Sequence, residues 1–212
     1  MLFTDFIQLI PKIQKQPLPG IDAHSKMVPP ARLESLSPEY YAESNPRISA
    51  VMMLFYPKNN YTHLALMKRA AYRGIHSAQI SFPGGKAEPE DENYMATALR
   101  ETEEEIGVLP SEIDIVMPFS EIYIPPSNFL VYPFLGLAVK APEFVPQPSE
   151  VAAIIELPFN VFVDDAIIVS AEVQTSYAQR SHVPAFKIQE HLVWGATAMI
   201  LNELKETIKK VL

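Results

Sequence analysis

The chain contains no cysteine, which excludes disulfides, thiolate metal sites and a cysteine nucleophile together. No apolar run reaches the length of a membrane span. The apolar start MLFTDFIQLIPK carries Asp5 and lacks the basic leader of a secretory signal. Cations are scarce as well: 17 Lys and Arg stand against 25 Asp and Glu, a formal net charge of -8. A protein that coats nucleic acid needs clustered cations for phosphate, so neither a nucleic-acid nor a membrane role is expected. The five histidines form no close pair, and a zinc site is not expected. With 212 residues, 48% hydrophobic and 20% charged, the chain reads as cytoplasmic and globular, with one substantial core. Residues 1–46 are expected to form an N-terminal helix and a proline-rich strap packed on the body, and residues 47–212 the main domain. The strap is also a candidate homodimer contact.

What the chain does have is a concentrated acidic stretch, SFPGGKAEPEDENYMATALRETEEEIGV, from Ser81 to Val108. Eight of the 25 acids lie between Glu88 and Glu105. Gly84 and Gly85 permit a backbone path closed to other residues, and Gly107 suits a helix C-cap. Between them a helix is expected over Asn93–Ile106, with Met95, Leu99, Thr102 and Ile106 as its core stripe. Glu101, Glu104 and Glu105 fall on a different arc. Three carboxylates at the end of a helix oppose its dipole and repel one another. Such a clash is tolerated when a cation sits among them, and hard oxygen ligands suit Mg2+ or Mn2+. The competing reading is a solvated acidic face.

The stretch resembles the Nudix box, in which a Gly and an early acid precede Arg-Glu-aliphatic-Xaa-Glu-Glu-Xaa-Gly-aliphatic. Arg100, Glu101, Glu104, Glu105, Gly107 and Val108 match its second half, and Thr102 stands at an aliphatic position. The interval from Gly85 to Arg100 is one residue longer than the pattern, so either Asp91 or Glu92 is the early acid. The preceding run LALMKRAAYRGIHSAQISFPGG resembles the signature of the coenzyme A pyrophosphatases within that family. There Arg69 and Phe82 keep the expected separation, Arg73 comes one residue early, and Ala78 replaces a Gly. Trp194-Gly195-Ala196-Thr197-Ala198 also resembles the start of that subgroup's terminal helix.

Elsewhere, Ser49–Tyr56 and Thr62–Lys68 are expected to pair as a hairpin across Lys58-Asn59-Asn60. Strands are expected at Ile113–Met117, Glu121–Ile124, Phe129–Val139, Val151–Pro158, Ala166–Gln174 and Val183–Gln189, the last ending at a turn with His191. The turn and strand start PPSNFLVYPFLG form a candidate pocket wall, with core packing expected for two of Phe129, Tyr132 and Phe134. Phe159–Asp164 reads as a short helical segment. The final helix is expected to bury Thr197, Leu201, Leu204, Ile208 and Val211, with Trp194 in the core.

The elements interleave without regular strand-helix-strand units, giving an α/β protein with a mixed sheet flanked by helices. The resemblance implies the Nudix-type α/β/α sandwich and metal-dependent hydrolysis of a nucleoside diphosphate linked to another moiety. Coenzyme A, cleaved to 3',5'-ADP and 4'-phosphopantetheine, is the first candidate substrate. ADP-ribose, dinucleotides or nucleoside triphosphates are the alternatives, and a catalytically silent nucleotide-binding module is the competitor from another class. Glu101, Glu104 and Glu105 are the expected ligands of Mg2+ or Mn2+. Arg100 is expected to orient one of them through a two-pronged contact. Glu104, Glu105 and Glu150 are candidate bases. Arg69 and Arg73, with the Gly84–Gly85 turn, are expected to meet the substrate's phosphates.

Overall fold

The computed structural model describes residues 1–70, 79–173 and 181–212. Its centre is the hairpin of β1 (Arg47–Lys58) and β2 (Tyr61–Arg69), closed by Asn59 and Asn60 at φ 50° and 67°. Asparagine tolerates this left-handed backbone, which gives the hairpin turn the twist of its strands. The main sheet adds β3 (Ile80–Ser81), β4 (Gly84–Lys86), β5 (Ile113–Pro118), β6 (Ile122–Ile124), β7 (Phe129–Ala138) and β8 (Val151–Pro158). Its order is β3-β2-β1-β7-β5, with β4 on β1, β6 on β7 and β8 on β2. The β1–β7 pair is parallel and the others are antiparallel, so the sheet is mixed as expected. A second sheet joins β9 (Ile168–Val173), β10 (Ser181–Ile188) and β11 (His191–Val193) in the order β11-β10-β9.

Alternation along β1 divides the core in two. Met53 and Phe55 face a large cluster shared with helices α1 (Phe3–Ile13), α5 (Phe159–Phe162) and α6 (Ala196–Lys209). Ala50, Met52, Leu54 and Tyr56 face the opposite side, where α4 (Tyr94–Ile106) covers them with Ala98 and Ile106. Helices on both faces of a mixed sheet make an α/β/α sandwich, and among the described residues α4 is the long helix that packs on the second face.

Several expected elements differ in detail. Chain from Asp165 to Ile167 is a 3-10 turn whose N-cap, Asp164, accepts from the Ala166 amide, so β9 starts later than its apolar run suggested. His191 opens β11 instead of ending a turn; Gln189, at φ 53°, turns the chain before it. Trp194 is half-exposed, because Val193 takes the inward position of β11 and strand alternation sends its successor outward. Phe129, Tyr132 and Phe134 are all half-buried on the flanks of the two clusters. Gln174 and Arg73 lie outside the described residues.

Helix α6 is buried well beyond the expected stripe: Asn202, Glu203, Lys205 and Thr207 join Leu201, Leu204 and Ile208 inside. The strap, which lays α2 (Ile21–His24) on it, covers Asn202 and Glu203, while Lys205 is taken in by the Asp164 carbonyl at 2.7 Å. Glu203 is fully buried and takes four contacts: the amide of Gly20 at 3.0 Å, His24 Nε2 at 3.1 Å, and the Ser120 hydroxyl and amide at 2.6 and 3.3 Å. One carboxylate thus joins the strap, the segment before β6, and the terminal helix. Replacing it would leave buried donors without an acceptor. Glu203→Ala is expected to lower unfolding stability by about 3 kcal/mol, read as a fall in the urea midpoint with unchanged slope. A change under about 0.5 kcal/mol, typical of a surface site, would contradict this clasp.

Candidate functional site on the α4 face

Helix α4 starts where the sequence places it. Asn93 is its N-cap, accepting from the Ala96 amide through Oδ1, and Gly107 at φ 76° ends it. Of its expected inward stripe, Thr102 and Ile106 are buried and Leu99 is half-buried, and only Met95 departs. Thr97, Ala98, Thr102, Glu105 and Ile106 are buried, whereas Met95 is exposed. The sheet-facing line is Tyr94–Ala98–Glu101–Glu105, which has helical spacing but was obscured by its polar members.

Glu105 is therefore a carboxylate in a helix–sheet interface, 1% exposed. The Gly84 amide of β4 donates to it at 2.7 Å, and Arg69 Nη1 at the end of β2 reaches it at 3.3 Å. Burial pushes its pKa up to about 8 despite those two contacts, and the charges of Glu101 and Glu150 push the same way. Glu101 lies one turn earlier and is also raised, first by burial, with Arg100 acting against it. Its carboxylate rests on Gly85, where a Cβ would come within 2.4 Å of Glu101 atoms. A side chain there would push the Glu101 carboxylate out of this place. Gly84 is held more strictly, since its φ of 149° disfavours side chains and a Cβ would meet the β1 backbone at Ala50 and Val51.

Arg100 gathers the rest. Its two-pronged contact goes to Asp91, Nε to Oδ1 at 2.9 Å and Nη2 to Oδ2 at 3.1 Å, and not to a glutamate. Nη1 donates to Glu101 at 3.0 Å and Glu104 at 3.1 Å, and Nη2 also meets the Lys86 carbonyl. Asp91 accepts from the Glu88 amide and Thr97 hydroxyl as well, while Glu92 is exposed. Asp91 is the acid engaged with Arg100. Fork geometry favours a carboxylate that can approach in plane, and the turn Glu88–Asp91 supplies that approach.

The far end of α4 explains how Glu150 arrives. Its last carbonyls need donors, and beyond the Gly107 amide these are Val145 and Gln147, bonding Ile106 and Glu105 at 2.9 Å each. The same loop continues to Glu150, whose carbonyl accepts from Ala70 at 2.7 Å. Glu150 is exposed, and its charge acts on both Glu101 and Glu105. Glu101, Glu105, Glu150, Arg69 and the Gly84–Gly85 turn are thus brought to one place, with Glu104 at its outer edge, 58% exposed. Among the described residues no group of three or more His, Asp or Glu side chains is assembled to hold a metal ion as it stands. Arg100 occupies an oxygen of each of Glu101 and Glu104 instead.

The NUDIX domain profile matches residues 46–173, more than half of the chain. The chain belongs to the Nudix family. The uncharacterized Nudix hydrolase NudL of Photorhabdus laumondii is 30% identical over 84% of this chain and 94% of its own length. Nudix hydrolase 22, chloroplastic, of Arabidopsis thaliana is 34% identical over 79% of this chain, which spans 56% of that longer protein. Among solved structures, the M. smegmatis Nudix hydrolase RenU superposes with a TM-score of 0.53 at 14% identity, covering 79% of this chain and 88% of RenU. That likeness supports the fold. The chain is accordingly a Nudix hydrolase, of a family of pyrophosphohydrolases acting on phosphorus anhydrides.

The Nudix helix titrates at both ends of the pH scale with opposite sign. Arg100 holds Asp91 below its usual 3.8, so the pair's contribution is full above that value and is lost as pH falls through the folded one. Asp91→Asn is expected to cost about 2 kcal/mol at neutral pH, with the difference from wild type shrinking below about pH 4. Equal stability of the two proteins at neutral pH would refute the anchor. Glu105 runs the other way. Its folded pKa of about 8 exceeds the ordinary 4.5, so the folded chain keeps a proton that the unfolded chain gives up, and stability falls as pH rises through 8. With divalent ions chelated, denaturant titrations should lose on the order of 3 kcal/mol between about pH 5 and pH 9. Glu105→Gln should flatten that slope; a slope unchanged in the variant would assign it to other groups.

Proposed function

We propose that the site hydrolyses the diphosphate joining a nucleoside to a second moiety, with coenzyme A as the first candidate substrate. The observation that carries the reaction class is the meeting of Glu101 and Glu105 at the Gly84–Gly85 turn, beside Arg69 and within the field of Glu150. Its donor set, hard carboxylate oxygens held together against their own repulsion, fits Mg2+ or Mn2+. Glu101, Glu104 and Glu105 would hold the ion, Glu104 first leaving Arg100, which its exposed position permits. A divalent ion supplies charge neutralisation of the diphosphate and acidifies the attacking water.

The chain's own residues do the rest. Gly84 and Arg69 keep Glu105 oriented, and Gly85 leaves the Glu101 carboxylate the room it occupies. Arg69 and Arg73 would contact the phosphates. Water attacks one phosphorus, the anhydride P–O bond breaks, and the proton passes to a carboxylate. Glu104 and Glu150 are open to solvent for that purpose, whereas Glu105 already accepts from the Gly84 amide. Coenzyme A as substrate is supported by the run from Leu64 to Gly85 and the Trp194–Ala198 phrase, not by site geometry.

A comparison of kcat/KM on coenzyme A, ADP-ribose, NADH and dGTP, with Mg2+ and with Mn2+, tests the reading. The expected result is preference for coenzyme A, with products of the mass of 3',5'-ADP and 4'-phosphopantetheine. Preference for another diphosphate would move the substrate and keep the chemistry. Glu101→Gln and Glu105→Gln should each reduce turnover by about 100-fold or more. Wild type no faster than Glu105→Gln on every substrate would instead favour the silent binding module.

A further inference from the structure

The first residue of α4 is Tyr94, whose ring centroid lies 4.5 Å from that of Tyr132, with 31° between their planes. Tyr132 stands in β7 opposite Ala50 of β1, and Ala50 stands opposite Gly85 of β4. The row Gly85–Ala50–Tyr132 therefore crosses the sheet from the glycine under the Glu101 carboxylate to the tyrosine pair, about 10 Å at ordinary strand spacing. Along the helix, Tyr94 precedes Glu101 by two turns, again about 10 Å. Tyr94, Glu101 and Glu105 also share one helical stripe.

Other tyrosines extend the patch. Tyr41, at the end of α3 (Pro38–Tyr41), stacks on Tyr123 at 4.9 Å, and Tyr40 lies 6.3 Å from the same ring. Tyr41 and Tyr132 both feel the Glu121 carboxylate, so the two halves of the patch lie close together. A purely structural cluster would bury its rings. Here Tyr94 is 40% exposed and Tyr40 52%, with Tyr41 and Tyr132 half-exposed. The carboxylates around them are Glu121 on one side and, on the other, those of a cleft where Tyr94 meets Glu88, Glu92 and Asp91, the last paired with Arg100. Such surroundings repel phosphate but accept a flat, uncharged ring.

We infer that the Tyr94–Tyr132 pair is a platform on which the nucleobase of the substrate's nucleoside half stacks, one ribose-and-base length from the Glu101 carboxylate. The inference rests on the diphosphate reading above and adds which part of the substrate is recognised, and where. Stacking on tyrosine accepts any base, because every base offers a flat face. The second moiety then extends away from the tyrosines, past Glu101 and Arg69.

Calorimetric titration with AMP and with ribose 5-phosphate tests this without turnover. Wild type is expected to bind AMP about tenfold more tightly than ribose 5-phosphate. Tyr94→Ala and Tyr132→Ala should bring the two ligands within about twofold of each other. Tyr94→Phe and Tyr132→Phe, which keep the ring and remove the hydroxyl, should retain the preference and guard against misfolding of the alanine variants. Equal affinity of wild type for both ligands, including no measurable binding of either, would overturn the inference. A full AMP preference in both alanine variants would do the same. A protein that prefers AMP through these rings but cleaves no diphosphate would sink the hydrolytic reading and leave the platform standing.

Discussion

A carboxylate withdrawn from water governs the geometry of this molecule's active face. Glu105 lies between α4 and the sheet, where an ionisable group is costly unless the surroundings are arranged for it. The arrangement is specific: a main-chain amide at Gly84, a guanidinium at Arg69, and other carboxylates close enough to raise it further. Each requires a neighbouring element to be where it is. β4 must approach β1 without side chains, β2 must end on an arginine, and the loop before β8 must fold back over the helix end.

Backbone hydrogen bonding accomplishes much of this. The carbonyls at the C-terminus of α4 are satisfied by amides of Val145 and Gln147, and this fastening brings Glu150 to the end of β2, where its charge acts on Glu105. Arg100 works on the opposite side. By gripping Asp91 it ties the turn before α4 to the middle of the helix, and its remaining nitrogen holds Glu101 and Glu104 in check. The face of the sheet away from α4 has its own buried acid, Glu203, which closes the strap over α6. One acid therefore organises the α4 face and the other the N-terminal cover, with the sheet between them.

Much of this was readable in the chain of residues. The hairpin around Asn59–Asn60 and the span of α4 with Gly107 at its end followed from turn chemistry and capping. These are local effects, set by residues within a few positions of one another. The choice between Asp91 and Glu92 was not readable, because both are acids at workable spacing and only the placement of the Arg100 fork separates them. The stripe of α4 was readable only in part, because a wheel ranks positions by polarity: Thr102 and Ile106 are buried as expected, Met95 is exposed, and the polar Glu105 faces inward in its stead.

By itself the sequence determined the family, the mixed α/β architecture and the acidic helix, since each depends on patterns that repeat or cluster along the chain. Tertiary structure alone decided that Glu105 is buried, that Glu150 joins it from a loop far along the chain, and that Tyr132 meets Tyr94. Burial and field depend on what lies across the sheet, and that distance is not measured in residues.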